Sequence, residues 1–427
     1  MGPLVWLITF FILLCLTVPI GVSIGMSIIV YFLLFNTQPI SFLCQNMFTA
    51  CDSFPLMAIP FFVAGGALMS NGGITKRLVD LADACIGHIS GGFAMVTAIC
   101  CAFFGAISGS APATVAAIGG LMVPAMIERG YDKGFSLAII ATSGCLGVII
   151  PPSIPMVIYG TTTGASVGTL FIAGIGPGLL FCFALCLYSY LVAKKKGWKG
   201  NGKKFSIKRV GVELKNAVWA LLAPLIILGS IYGGFCTPTE AAAICIVYAL
   251  LIGFFVYREL DMKTMLNSFW DGALTTGTIL IIVGTGTTLG RVLTVAQVPQ
   301  LVVNGILGIS DNPIIILLLL NLILLIVGCL METLSAIMIL GPILYPVAAA
   351  AGMGLEHFGI MMVVNLAIGF CTPPVGVNLF VAAGLREDVS FMSLVRHALP
   401  IIGVLLAVQL VITFCEPLVM TIPRLMG

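Results

Sequence analysis

Two Pro-Pro pairs sit 222 residues apart in an otherwise apolar chain of 427 residues. The first is Pro151-Pro152, in the run from Gly147 to Ser153. The second is Pro373-Pro374, in the run from Gly369 to Gly376. Each interrupts a segment that would otherwise read as one membrane helix. Proline removes an N–H and its ring clashes with the preceding turn, so nearby carbonyls lose their partners. Facing lipid, each unpaired group costs several kcal/mol. Such a break therefore persists only where it is buried in protein or lines a wet cavity.

The duplication extends beyond the prolines. At offsets of 222 or 223, Leu78 meets Leu301, Gly105 meets Gly328 and Pro124 meets Pro346. Gly130 meets Gly352, Gly147 meets Gly369 and Pro177 meets Pro400. Chance matches among abundant Gly, Pro and Leu would scatter over many offsets. These hold one register over about 100 residues, which indicates an internal repeat.

Sixty per cent of the residues are hydrophobic and 8% charged, against about 25% charged in soluble domains. The chain reads as an all-α polytopic membrane protein. At about 20 residues per span, it has room for roughly ten to twelve crossings plus re-entrant hairpins. Long unbroken apolar runs such as Ile314 to Val327 exclude a β-barrel. The segment Leu4 to Phe35 lacks a basic start and a small-residue cleavage site, so it reads as mature structure. With Pro19 near its middle it is either one kinked helix or two short spans. The cysteines lie mostly singly in apolar runs, with no C-x-x-C. No disulfide and no metal site beyond sodium is expected, and the default role is packing.

Nine of the nineteen Lys and Arg fall between Lys194 and Lys215. By the positive-inside rule this connector is cytoplasmic, and so short a loop between spans is not a nucleic-acid site. It separates two repeats, about 1–193 and 216–427. Counting away from it, each repeat holds a re-entrant hairpin (about 92–128 and 314–351) and a Pro-broken helix (about 134–163 and 360–385). The arms of the first hairpin read as about 15 residues each, too short to cross alone. The two halves come out with opposite orientation, an inverted repeat of the kind used for alternating access.

Four mid-membrane clusters follow: two hairpin tips and two breaks. If tip and break meet within each half, carbonyl and hydroxyl oxygens converge, a hard ligand set suited to Na+ as coupling ion. The first sodium site would draw on Ser108, Ser110, Gly147, Ile150 and Pro152. The second would draw on Gly328, Glu332, Gly369, Thr372 and Val375. An anionic substrate would suit the half-helix N-termini near Ala113, Ser153, Ser335 and Val375. Candidate substrate contacts are Ser110, Ser153, Glu332 and Asn378. Glu332 is the sharpest residue, because an ionisable group inside apolar sequence is expensive; it aligns with Ser110. Asp52, Glu240 and Asp271 read as helix-end residues. No nucleophile–base pair or His-Glu metal motif appears, and His88, His357 and His397 fall near expected loops. An enzyme is therefore disfavoured. Two hairpins entering from opposite sides also fit poorly with a passive channel.

At these residues the chain resembles the large membrane subunit of the tripartite ATP-independent periplasmic (TRAP) transporters. The resemblance rests on Ala58-Ile59-Pro60-Phe61-Phe62, Ser108 through Thr114, Ile150-Pro151-Pro152-Ser153, Thr237 through Ala242, and Thr372 through Gly376 with Asn378. It implies sodium-coupled import of an organic acid, such as sialic acid, a C4-dicarboxylate or a sugar acid, by an elevator mechanism in the bacterial inner membrane. It also implies a periplasmic substrate-binding protein and a small four-helix membrane subunit, expected here as a separate polypeptide. The family often has Asp where this chain has Glu332. A one-component sodium–carboxylate symporter or antiporter of related fold is the alternative.

Overall fold

A computed structural model describes residues 2–35, 38–200, 202, 205–308, 310 and 312–426. The described residues form helices and connecting loops, with no strand. The first half runs α1 (Gly2–Cys15), α2 (Ile20–Phe35), α3 (Ile40–Cys51), a 3-10 turn at Phe54–Met57, α4 (Ala58–Asn71) and α5 (Ile74–Ile86). It continues with α6 (Gly92–Ser108), α7 (Ala111–Glu128), α8 (Lys133–Ser143), α9 (Leu146–Ile149), α10 (Ile154–Thr163) and α11 (Val167–Lys196). The second half opens with α12 (Ile207–Tyr232) and α13 (Pro238–Leu251), which passes into a π-helical turn at Ile252–Val256. Next come α14 (Met262–Val295), α15 (Val298–Leu307), α16 (Pro313–Leu330) and α17 (Thr333–Ala350). α18 (Leu355–Gly369), α19 (Val377–Gly384), α20 (Phe391–Phe414) and α21 (Glu416–Met426) complete the chain.

Local chemistry fixes many of these ends. Asp132, Ser153, Ser166, Ser206, Asp261, Asn312 and Ser390 each accept a backbone N–H at a helix start, satisfying one of the otherwise orphan donors there. Thr237 and Glu240 form a reciprocal capping box: the Thr237 N–H donates to Glu240 at 2.8 Å, and the Glu240 N–H to the Thr237 hydroxyl at 3.3 Å. The helix-end role expected for Glu240 is what the structure holds.

Among the described residues, nine helices are long and apolar enough to cross a membrane, and α8–α9 with α10 make a tenth, bent by 43°. Large apolar side chains face outward along α16 at Ile314, Ile315, Leu318, Leu322 and Ile326, a stripe suited to acyl chains. The architecture is that of an all-α polytopic protein with two inverted-topology repeats. The pairings support this. α10 packs on α17 while α19 packs on α7; α4 packs on α13 while α14 packs on α2.

Several boundaries differ from expectation. Of the two readings of Leu4 to Phe35, the structure holds the two-span one that the inverted symmetry favours: α1 and α2 pack on each other. The hairpin arms hold 17 or 18 residues rather than 15. At 1.5 Å per residue they are about 27 Å long, so length alone does not keep them from crossing. The second broken helix starts at Leu355, which places His357 in its first turn, buried with Nε2 2.8 Å from the Ile412 carbonyl oxygen. His397 likewise lies within α20. Helix reaches into both ends of the basic connector: Lys194, Lys195 and Lys196 form the last turn of α11, and α12 begins at Ile207. The closing helix ends at Phe414, and α21 follows as a separate element.

Candidate substrate and ion site

The repeated glycines are where hairpin and broken helix cross. In the first half, a Cβ on Gly105 would lie 2.8 Å from the Gly147 Cα, and one on Gly147 would lie 2.4 Å from Thr114 Oγ1. In the second half, a Cβ on Gly369 would lie 2.5 Å from the Gly328 carbonyl carbon. Neither crossing has room for a methyl group. Gly105 and Gly147 in one half, and Gly328 and Gly369 in the other, bring α6 and α16 against the broken helices within about a turn of their breaks.

The first tip and the first break meet as expected. Gly109 takes a left-handed conformation (φ 62°) that turns the chain between α6 and α7. The Ile154 N–H donates to the Gly109 carbonyl at 3.3 Å, across the break. The Thr114 hydroxyl donates to the Ser110 carbonyl at 2.7 Å and lies 3.1 Å from the Ser108 hydroxyl. Ser108, Ser110 and Gly147 are thus gathered around Thr114, a buried residue that the sequence-based site did not include. Pro152 lies beside the tip, its carbonyl 3.1 Å from where a Gly109 Cβ would stand. Ile150, whose expected contribution is its backbone oxygen, packs its side chain toward Gly178 of α11.

The second tip is different in kind. Glu332 occupies the N-cap position of α17, as Ser110 does for α7, and neither side chain caps an N–H. Glu332 Oε2, Thr333 Oγ1 and Ser335 Oγ are all buried without a hydrogen-bond partner. The Leu334 and Ser335 N–H groups and the Ser335 hydroxyl approach the Glu332 carboxylate, and the oxygens left unpaired are costly unless something occupies the space they face. At the second break, the Thr372 hydroxyl donates to the Ile368 carbonyl of α18, 2.8 Å away. Val375 is 40% exposed at the open break.

Both tips line one cavity of about 890 Å³. Ser108, Ser110, Ala113, Glu332 and Thr333 contribute from the hairpins. Asn71, Asp271, Thr275 and Thr278 contribute from α4 and α14. Asp271 therefore lies in the third turn of α14 facing the cavity, not at a helix end. Nothing in the sequence distinguished it from a capping acid, since only the packing of α14 against the hairpins turns that face inward.

Two expected substrate contacts point elsewhere. The buried Ser153 hydroxyl donates to the Val148 carbonyl at 2.6 Å and caps Met156 at 3.5 Å, tying the break together. Asn378 is buried between the two broken helices, its Nδ2 donating to the Ala141 carbonyl of the other half at 3.1 Å. Beside it the Cys145 and Cys371 thiols face each other at 3.0 Å. The geometry makes Ser153 and Asn378 parts of the frame around the site rather than of its lining.

A family model described as "Tripartite ATP-independent periplasmic transporter, DctM component" matches residues 7–418. The chain belongs to this family. As a TRAP large permease it is similar to the isethionate TRAP transporter permease protein DctMQ of Oleidesulfovibrio alaskensis, 47% identical over 95% of this chain and 64% of that relative. It therefore spans less than two thirds of that protein's length. It is 38% identical to the C4-dicarboxylate large permease DctM of Pseudomonas aeruginosa, over 95% of this chain and 94% of the relative. It is also 38% identical to the sialic acid large permease SiaM of Vibrio cholerae, over 95% of both chains. In fold, this TRAP permease resembles the Alcanivorax borkumensis YdaH transporter, with a TM-score of 0.59 over 87% of this chain and 86% of that one, at 15% identity. Its relatives are transport permeases, not enzymes.

Proposed function

We propose that the protein imports a small organic anion, coupled to sodium, as the translocating subunit of a three-part transporter in the bacterial inner membrane. The observation that carries this reading is the second tip, where Glu332 and Thr333 line a cavity shared with the first tip and, with Ser335 one turn behind them, hold buried, unpartnered oxygens. A hard cation satisfies such a set, with the Glu332 carboxylate supplying a negative charge to it. Oxygens from Ser108, Ser110, Gly147 and Thr114 form the first sodium site. The second is formed by Glu332 with the Gly328–Gly369 crossing and Thr372. The bound cations offset the charge of an anionic substrate, which the N-termini of α7 and α17 also favour. Relatives named for isethionate, C4-dicarboxylates and sialic acid support a small carboxylate or sulfonate as substrate. Movement is of the elevator type: the hairpins and broken helices, joined by the glycine crossings, move together against α4, α13 and α14. A small membrane subunit and a periplasmic binding protein complete the assembly.

The test is uptake into proteoliposomes of a panel of isethionate, succinate and sialic acid, with purified partners and an imposed sodium gradient. Uptake of at least one anion that requires sodium and the binding protein is expected. Equal uptake driven by a proton gradient without sodium, or saturable uptake by the lone chain, would overturn the reading.

A further inference from the structure

A second cavity, of about 630 Å³, lies between α3 and α14 on one side and α10 and α17 on the other. Its lining contains one cation, Arg291, and a surround of hydroxyls from Ser53, Thr161, Thr162, Thr287 and Thr294. Lys263 starts α14 on the cytoplasmic side. Arg291 is 28 residues further along that helix, about 42 Å away at 1.5 Å per residue. That exceeds the roughly 30 Å of hydrocarbon, so the cavity lies at the outer face, where positive residues are scarce. Arg424, the other basic residue at that face, is paired with Glu416. Arg291 has no carboxylate within ion-pair distance among the described residues. Its partner is neutral, the Asn46 side-chain oxygen. Asp52, at the same end of α3, is exposed and does not line the cavity.

We propose that this cavity is an outer anion site that takes the carboxylate or sulfonate group of a small organic acid before it reaches the hairpin tips. The proposal rests on the functional reading above. A guanidinium has five N–H donors, and Asn46 engages one. The rest can grip an oxyanion in the forked geometry that Arg favours. Ser53 and Thr287 add hydroxyl donors at the wall. The Thr161, Thr162 and Thr294 hydroxyls donate to their own helices at 2.9, 2.8 and 2.8 Å. Each of those carbonyls lies at a helical position able to take a backbone N–H, so the hydroxyl can rotate toward a ligand without leaving an orphan. The volume suits a small molecule. The walls come from both the α3–α14 frame and the hairpin–broken-helix unit, so an occupant sits where the substrate must pass between them.

The experiment is thermal stability of the full chain in nanodiscs of zwitterionic lipid, titrated with isethionate, succinate or sialic acid, with glycerol as neutral control. At least one anion should stabilise the protein and glycerol should not. Arg291→Gln should weaken that binding at least tenfold, Arg291→Lys less, and the Arg291-dependent part should persist in Glu332→Ala. Size-exclusion profiles of the Lys variant guard against misfolding. Stabilisation by no anion, or equal stabilisation of Arg291→Gln, overturns the proposal. So does Arg291-dependent stabilisation by phosphatidylglycerol alone, which would make the site a lipid headgroup contact. Failure of sodium-driven uptake in the complete complex would instead strike the functional reading and leave this binding result standing.

Discussion

The two hairpin tips share a backbone plan and differ in what that plan leaves unpaired. In the first half the break residues Pro151, Pro152 and Ser153 are buried, and the tip hydroxyls bond among themselves through Thr114. In the second half Pro374 and Val375 are exposed, and Glu332, Thr333 and Ser335 keep unpartnered oxygens. Behind the second crossing, Asn321, Asn365, Gln409 and Thr413 form a buried hydrogen-bonded cluster. At the position of Asn365 the first half has Ser143, buried and unpartnered. The lesson is that duplication conserved the crossing geometry, which backbone contact demands, while the polar groups diverged. The hydroxyls of the first tip bond to one another and to the chain; those of the second leave oxygens unpaired.

Glu332 gives the largest expected difference between the tips. An unpaired carboxylate in apolar surroundings costs about 2.5–3.5 kcal/mol even on the lenient insertion scale, so it should be paired with the ion when the site is loaded. Glu332→Ala should lower uptake by about 100-fold, equivalent to roughly 2.8 kcal/mol, with normal membrane insertion. Glu332→Asp should retain most activity. Normal uptake and sodium affinity in Glu332→Ala would make the residue a structural cap and erase the contrast.

Next come the crossings, which should behave alike. Gly147→Ala and Gly369→Ala each place a methyl group within 2.5 Å of neighbouring atoms. Overpacking of this kind costs about 1–3 kcal/mol, visible as a lowered thermal midpoint in detergent. If only one of the two is destabilised, the two crossings are not equivalent and the shared plan fails.

Thr114→Val sharpens the first tip. It removes the donor to the Ser110 carbonyl and the partner of the Ser108 hydroxyl, worth about 1 kcal/mol each way. The half-saturating sodium concentration should rise about threefold to tenfold with little change in expression. An unchanged sodium dependence would mean the first tip holds no ion.

The smallest effect concerns the ion-pair link between the halves. Asp388 accepts from Arg386 at 2.8 and 2.9 Å and from Lys133, at the start of α8, at 2.6 Å. The Arg386 guanidinium first, and then the Lys133 ammonium, hold its carboxyl below the ordinary range. A depressed folded value stabilises above the unfolded pKa of about 3.9 and is lost as pH falls through the folded value. Asp388→Asn should therefore lower the thermal midpoint by at most about 2 °C at pH 7. The gap to the parent protein should close progressively as pH falls below 4. A gap that persists undiminished in strong acid would show that the charge is not what links α8 to α19.

Much of this was legible in the residue order. Proline cannot continue a helix and apolar runs cannot lie in water, so the hairpins near 92–128 and 314–351 and the breaks at Pro151 and Pro373 were written locally. Less legible were α3, α5, α15 and α21, short helices without a long apolar run, of which α5 and α15 carry only the single repeated pair Leu78 and Leu301. Asp271 was misplaced for a related reason. An acid near the start of a long helix reads as a cap until packing shows which face turns inward.

The sequence by itself determined where the chain crosses the membrane, where it breaks and which glycines recur, because each follows from local sterics and from the cost of bare backbone in lipid. Only the tertiary structure decided which way the polar groups point. Ser153 closes its own helix, Asn378 reaches across to Ala141, and Glu332 is left facing a cavity. Spacing along a helix assigns a residue to a face. What that face meets depends on segments some 200 residues away, as where Asn378 meets the Ala141 carbonyl.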